Sequence, residues 1–101
     1  MLFKKIPTIS TKELERKLMD KPQIIDVREP HEFRGGHIPG AKNVPLRKVE
    51  SFTPKGKTYV VCQSGMRSKK ATKMLLKKDA DVVNVRGGMM AWSGSTRGGK
   101  L

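Results

Sequence analysis

Cysteine occurs once in this chain of 101 residues, at position 62. A single cysteine cannot close an internal disulfide, so no oxidised framework holds the fold together. Acidic residues are scarce too: nine against 22 lysines and arginines, for a formal charge of +13. So basic a surface attracts anions generally, from small oxyanions to acidic proteins, nucleic acid and anionic lipid. Aromatics are few. Phe3, Phe33, Phe52, Tyr59 and Trp92 are scattered, not interleaved with the basic residues as platforms for stacked bases would be. No nucleic-acid partner is predicted, and the charge reads as solubility with weak electrostatic steering. No apolar run is long enough to span a membrane, and Met1 to Pro7 holds nothing resembling the apolar core of a secretory signal. The expectation is a cytoplasmic protein.

What is present suffices for one domain with one core, at a size where a small domain is viable. The hydrophobic share of 36% nears the globular norm once the ten glycines are counted. Ser10-Thr11-Lys12-Glu13 has the form of a capping box, predicting a helix with Leu14, Leu18 and Met19 at helical spacing and a stop at Pro22. Short β-like runs follow at 24–27, 42–44, 58–61 and 82–85, separated by turn signals, and Pro30 opens a helical turn through Phe33. A helix from about Ser68 to Lys78 should turn Ala71, Met74 and Leu75 to the sheet and leave Lys69, Lys70, Lys73 and Lys77 mostly solvated. Strands alternating with helices predict an α/β fold, its sheet mainly parallel with helices on the faces. The chain divides into a lead-in (1–8), a folded domain (9–92) and a small, polar, Gly-rich tail (93–101) expected to be flexible.

In open α/β sheets, sites form beyond the carboxyl ends of the strands. Asp26 and Arg28, Cys62, and Arg86-Gly87-Gly88 stand at such ends, so parallel connectivity predicts their convergence on one rim. An unpaired cysteine after a strand is commonly a core residue. Here the next six residues are Gln63-Ser64-Gly65-Met66-Arg67-Ser68, a polar loop. Gly65 permits turns that point several N–H groups inward, and Arg67 adds a full charge. Amide donors and a positive helix end stabilise an anionic sulfur, and the thiolate is the nucleophilic form. Cys62 and Arg67 are separated by four residues, one fewer than in cysteine-based phosphatases. The shorter loop should form a tighter cradle, suited to one sulfur atom carried on the cysteine. Phosphatase or arsenate-reductase chemistry is the disfavoured reading.

Several segments together resemble a known family. They are Ile25-Asp26-Val27-Arg28-Glu29-Pro30-His31-Glu32-Phe33, Gly36-His37-Ile38-Pro39-Gly40-Ala41-Lys42-Asn43-Val44-Pro45, Val60 to Ser68, and Val85-Arg86-Gly87-Gly88 with Ala91-Trp92. In this order they are similar to the single-domain rhodaneses of the thiosulfate sulfurtransferase family, over residues 9 to 92. The resemblance implies a three-layer α/β/α sandwich around a five-stranded, mostly parallel sheet. It implies Cys62 as a sulfur-carrying nucleophile, with the amides of Gln63, Ser64, Gly65, Met66, Arg67 and Ser68 lining its loop. The implied reaction moves a sulfane sulfur from a donor such as thiosulfate, through a Cys62 persulfide, to a thiol or cyanide. The alternative is a persulfide carrier or binding module in a sulfur relay. No metal or organic cofactor is implied, and the expected molecule is a monomer that meets small sulfur donors, thiol acceptors and a relay protein. Gln63-Ser64 stand where thiosulfate-preferring members carry cations, which makes thiosulfate a test-tube donor first.

The remaining polar residues keep two readings each. Arg67 either attracts an anionic donor or is a surface charge, disfavoured by the helix dipole at that end. Arg28 either faces the cleft or pairs with Glu29 or Glu32, and Arg86 is likewise undecided. Asp26 reads as structural, accepting from loop amides. His31 and His37 lack metal-ligand spacing, and His37 reads as a hydrogen-bonded structural residue. Trp92 with Met89-Met90 should pack a last helical turn onto the sheet.

Overall fold

The computed structural model describes residues 5–98. Its strands are β1 (Thr8–Ser10), β2 (Gln23–Asp26), β3 (Lys42–Asn43), β4 (Thr58–Val61) and β5 (Val82–Arg86). Its helices are α1 (Thr11–Lys17), α2 (Pro30–Arg34) and α3 (Met66–Leu76), with 3₁₀ turns at Leu18–Asp20, Leu46–Ser51 and Gly88–Ala91. The five strands form one sheet in the order β1-β5-β4-β2-β3, every pairing parallel.

Side chains alternate across the pleat, and the core therefore splits into two. Ile25, Val60 and Val82 face α3, where Ala71 and Leu75 are fully buried. Ile24, Tyr59, Val61, Val83 and Val85 face the other way, onto Leu14 of α1, Ile38 and the half-buried Trp92. Fully burying a side chain such as Leu14 or Leu75 contributes about 1.5–3 kcal/mol. Helices on both faces of a parallel sheet give the three-layer α/β/α architecture, with the strand ends on one edge.

Several expectations need correction. The reading of the residues located four strands; the fifth is Thr8–Ser10, paired with β5 in the register Thr8↔Asn84, Ile9↔Val85 and Ser10↔Arg86. It is too short for a visible alternation, and Ser10 also serves as N-cap: its Oγ accepts from Glu13 N–H at 3.1 Å while Glu13 Oε1 accepts from Ser10 N–H at 3.2 Å. Met19 is 92% exposed and Met90 72%, because the 3₁₀ turns that carry them rotate by a different angle than an α-helix. Helix α3 starts at Met66, not near Ser68, because Gly65 is its N-cap. In segment 93–98, Arg97 and His37 exchange backbone hydrogen bonds of 2.7 and 2.9 Å, and Trp92 Nε1 donates to Ser95 O at 3.0 Å. Residues 99–101 of the expected tail, and 1–4 of the lead-in, lie outside the described residues.

Candidate active site

Cys62 follows β4, the middle strand of the sheet. The neighbouring ends are tied to it: Val27 N–H donates to Val61 O and Val44 N–H to Asp26 O, both at 2.9 Å. Beyond Cys62 the chain turns through Gln63 and Ser64 to Gly65, which has φ = 104°, a left-handed conformation that glycine adopts at little cost. This turn brings Gly65 N–H to 3.0 Å from Cys62 Sγ. Ser68 Oγ lies 3.4 Å from Sγ and hydrogen-bonds to Gly65 O at 3.1 Å. Gly65, as N-cap, precedes the 11 residues of α3, so the N–H groups of Met66, Arg67 and Ser68 have no intrahelical acceptor and the positive end of the dipole lies at this loop. Cys62 itself is fully buried, packed on its inner side with Val27, Val60 and Ala71 and meeting polar groups on its loop side.

A second turn braces this loop. Met89 N–H donates to Cys62 O at 2.8 Å and Met90 N–H to Gln63 O at 3.0 Å. That approach requires Gly88: its φ is +59°, and a Cβ there would stand 2.4 Å from Cys62 O and 2.7 Å from Gln63 C. The 3₁₀ turn after β5 thus holds the carbonyls of Cys62 and Gln63.

The three candidate arginines do not converge on the sulfur as free cations. Arg28 is buried and grips Asp26 through its backbone N–H, Nε and Nη2, at 2.8–3.1 Å. Its remaining donors reach Gly36 O at 2.7 Å and Gln63 Oε1 at 3.3 Å. Its ion-pair partner is thus Asp26 rather than Glu29 or Glu32, because a side chain two residues away on the same strand end lies closest. Asp26 accepts a loop amide as expected. Arg67 makes a bidentate pair with Glu32, at 2.7 and 2.9 Å. That contact pulls the Glu32 carboxyl down to about 2, helped by the Glu29 N–H that also bonds it at 3.0 Å; the same contact raises Arg67 further. Arg86 is exposed at the end of β5, opposite Ser10.

Three contributors escaped the sequence reading. Glu32 carried a signal, since Glu29-Pro30-His31-Glu32 ends in an acid suited to a helix cap, but nothing local pointed across 35 positions to Arg67. Asn43 donates to Asp26 O at 3.0 Å and Arg28 O at 2.9 Å, fixing the exit from β2. Gly88 was part of a quoted motif without a stated task. His37 behaves as expected: its Nδ1 is 2.8 Å from Phe33 O and its ring stacks on Phe33 at 3.6 Å. Among the described residues no group of three or more His, Cys, Asp or Glu is arranged to hold a metal, and no helix is long and apolar enough to cross a membrane.

The model of one family, described as "Rhodanese-like domain", matches residues 10–95. The putative sulfurtransferase YtwF of Bacillus subtilis is 41% identical over 99 residues, covering 91% of this chain and 95% of its own. The putative sulfur carrier protein YrkF of the same organism is 36% identical, covering 90% of this chain and 53% of its own. A crystal structure of a rhodanese-like domain protein from Staphylococcus aureus superimposes with a TM-score of 0.79 at 40% identity, covering 89% of this chain and 93% of the other.

Proposed function

Because the chain belongs to the rhodanese-like family, we propose that it is a sulfurtransferase whose reactive atom is Cys62 Sγ. The observation that carries this reading is the 3.0 Å contact from Gly65 N–H to Sγ at the N-terminus of α3. A loop with spare amide donors stabilises negative charge on sulfur both before and after a second sulfur is attached.

The reaction has two halves. The Cys62 thiolate attacks the outer sulfur of a donor such as thiosulfate; the donor's S–S bond breaks and sulfite leaves with the electron pair. The resulting persulfide sulfur is held by the N–H groups of the 63–68 loop. A thiol or cyanide then attacks that outer sulfur, and Cys62 departs as thiolate. The sequence offers no second cysteine to capture the sulfur internally, so it passes to another molecule. This is covalent, double-displacement catalysis. Arg28 acts as a positioning residue, since its Nη1 reaches the Gln63 side chain.

The test is the formation of thiocyanate from thiosulfate and cyanide, alongside intact-mass detection of one added sulfur atom. Cys62→Ser should lose both signals; a serine variant that keeps them would refute the assignment. A second reading is also favoured by a particular observation. Arg67 is occupied by Glu32 and Arg28 by Asp26, which leaves neither guanidinium free for a dianionic donor. Together with the carrier name of YrkF, this supports a persulfide relay with low turnover on thiosulfate, in which sulfur from a partner persulfide loads Cys62 faster than sulfur from thiosulfate.

A further inference from the structure

Between α3 and the edge strand β1 lies a groove of about 750 Å³. Lys69, Lys73 and Lys77 line its α3 side, and Lys5 and Ile6 line it from the chain's beginning. The three helical lysines recur at every fourth position, so they form one row of like charges that repel one another. Among the described residues no acidic side chain lines the groove, and none of the three ion pairs involves a lysine. The repulsion is therefore uncompensated from within.

Two further observations concern what would fill it. The outer side of β1 is a sheet edge; Ser10 N–H is already held by Glu13 Oε1, which leaves Thr8 as the place where an added strand could pair. In the chain Lys69 follows Ser68, whose hydroxyl is 3.4 Å from Cys62 Sγ; Ser68 and Cys62 are themselves fully buried and do not line the groove. By the Cys62 loop, Met66 is 80% exposed and Met90, bonded through its N–H to Gln63 O, is 72% exposed. Exposed methionines adapt to a protein surface.

We propose that this groove docks an acidic, extended segment of a partner protein, one that on the persulfide reading above brings its thiol or persulfide to this chain. The inference rests on the persulfide reading above for the partner's role, but not for the docking itself. A second copy of the chain does not fit, since each carries +13 and would be repelled. Among the described residues no aromatic side chain lines the groove to stack on bases. A concave site beside a strand edge suits a peptide better than the plane of a membrane.

The test uses the intact chain and a short synthetic peptide of alternating glutamate and valine, with binding followed by fluorescence anisotropy and amide chemical shifts. The expected result is shifts confined to residues 5–10 and 66–77. Lys73→Glu with Lys77→Glu should weaken binding at least about tenfold, whereas Lys12→Glu with Lys57→Glu, the same charge change elsewhere, should weaken it less than about threefold. Equal weakening in both variants, no binding by the peptide, or tighter binding to a DNA duplex or to phosphatidylserine vesicles would overturn the proposal. Cys62→Ser should bind the peptide as the natural chain does. Mass-detected sulfur loading from thiosulfate, measured separately, should persist in the Lys73, Lys77 variant. Absence of loading in the natural chain from both thiosulfate and a persulfide donor would sink the sulfur reading and with it the partner's role, while the groove would still stand or fall on the peptide alone.

Discussion

Two residues outside the cysteine loop control its geometry. Gly88 is the tighter constraint, since both its positive φ and the 2.4 Å approach to Cys62 O exclude a side chain. The obstruction is backbone, which cannot swing aside as a flexible side chain would. Gly88→Ala should destabilise the fold by about 2–3 kcal/mol, read from the denaturant midpoint, and should slow sulfur loading even where the protein stays folded. Glu32 acts through charge. Its carboxyl titrates at about 2 in the folded protein, against an ordinary 4.5, so it stabilises the native state fully above the ordinary value. That contribution is lost as pH falls through the folded value. Both partners are partly exposed, with side-chain accessibilities of 35% and 26%, and solvent screening reduces the pair to about 1 kcal/mol. Unfolding curves between pH 5 and pH 2 should therefore show a stability loss of about that size in the natural chain that Glu32→Gln lacks.

At the scale of elements, the β1–α1 junction and the β4–α3 junction use opposite devices. Ser10 ends a strand and caps a helix with its own side chain. Ser10→Ala should cost about 1 kcal/mol by thermal unfolding, with sulfur chemistry unchanged, since Cys62 lies on the far side of β5 and beyond its own loop. The start of α3 has no side-chain cap: Gly65 is the N-cap and makes no side-chain bond. The donors that a serine or aspartate would consume at an ordinary helix start are left for the sulfur. A polar loop that begins a helix without capping it is consistent with a ligand-binding junction rather than a connecting one.

For the whole molecule, the dominant property is charge. At +13 the chain should draw anionic donors from solution, while the paired arginines at the loop leave long-range attraction to the lysines. Raising ionic strength from low salt to about 0.15 M shortens the Debye length to about 8 Å. Sulfur loading from thiosulfate should then slow several-fold, and loading from an uncharged persulfide donor should not; stopped-flow or quenched mass measurements separate the two. An equal salt response for both donors would place the effect on the fold rather than on the encounter.

Much of this molecule is written in local pattern. The alternation of Ile24 with Ile25 and of Tyr59 with Val60, the capping box at Ser10, and the glycine three residues after Cys62 report φ preferences and facing directions that depend only on near neighbours. These fixed the α/β class, the strand–loop–helix around Cys62, and the amide-rich character of its loop. Arg28 and Arg67 show where such reading stops, because an arginine's partner is whichever carboxylate the fold brings within about 3 Å. Asp26 and Glu32 were both visible, yet only the packed sheet placed α2 beside α3 and decided that Glu32 belongs to Arg67. The brace from Gly88 and the groove between Lys5 and Lys77 likewise join segments distant in the chain. Neighbour chemistry is inherited along the backbone, whereas these contacts exist only once the strands have been laid side by side.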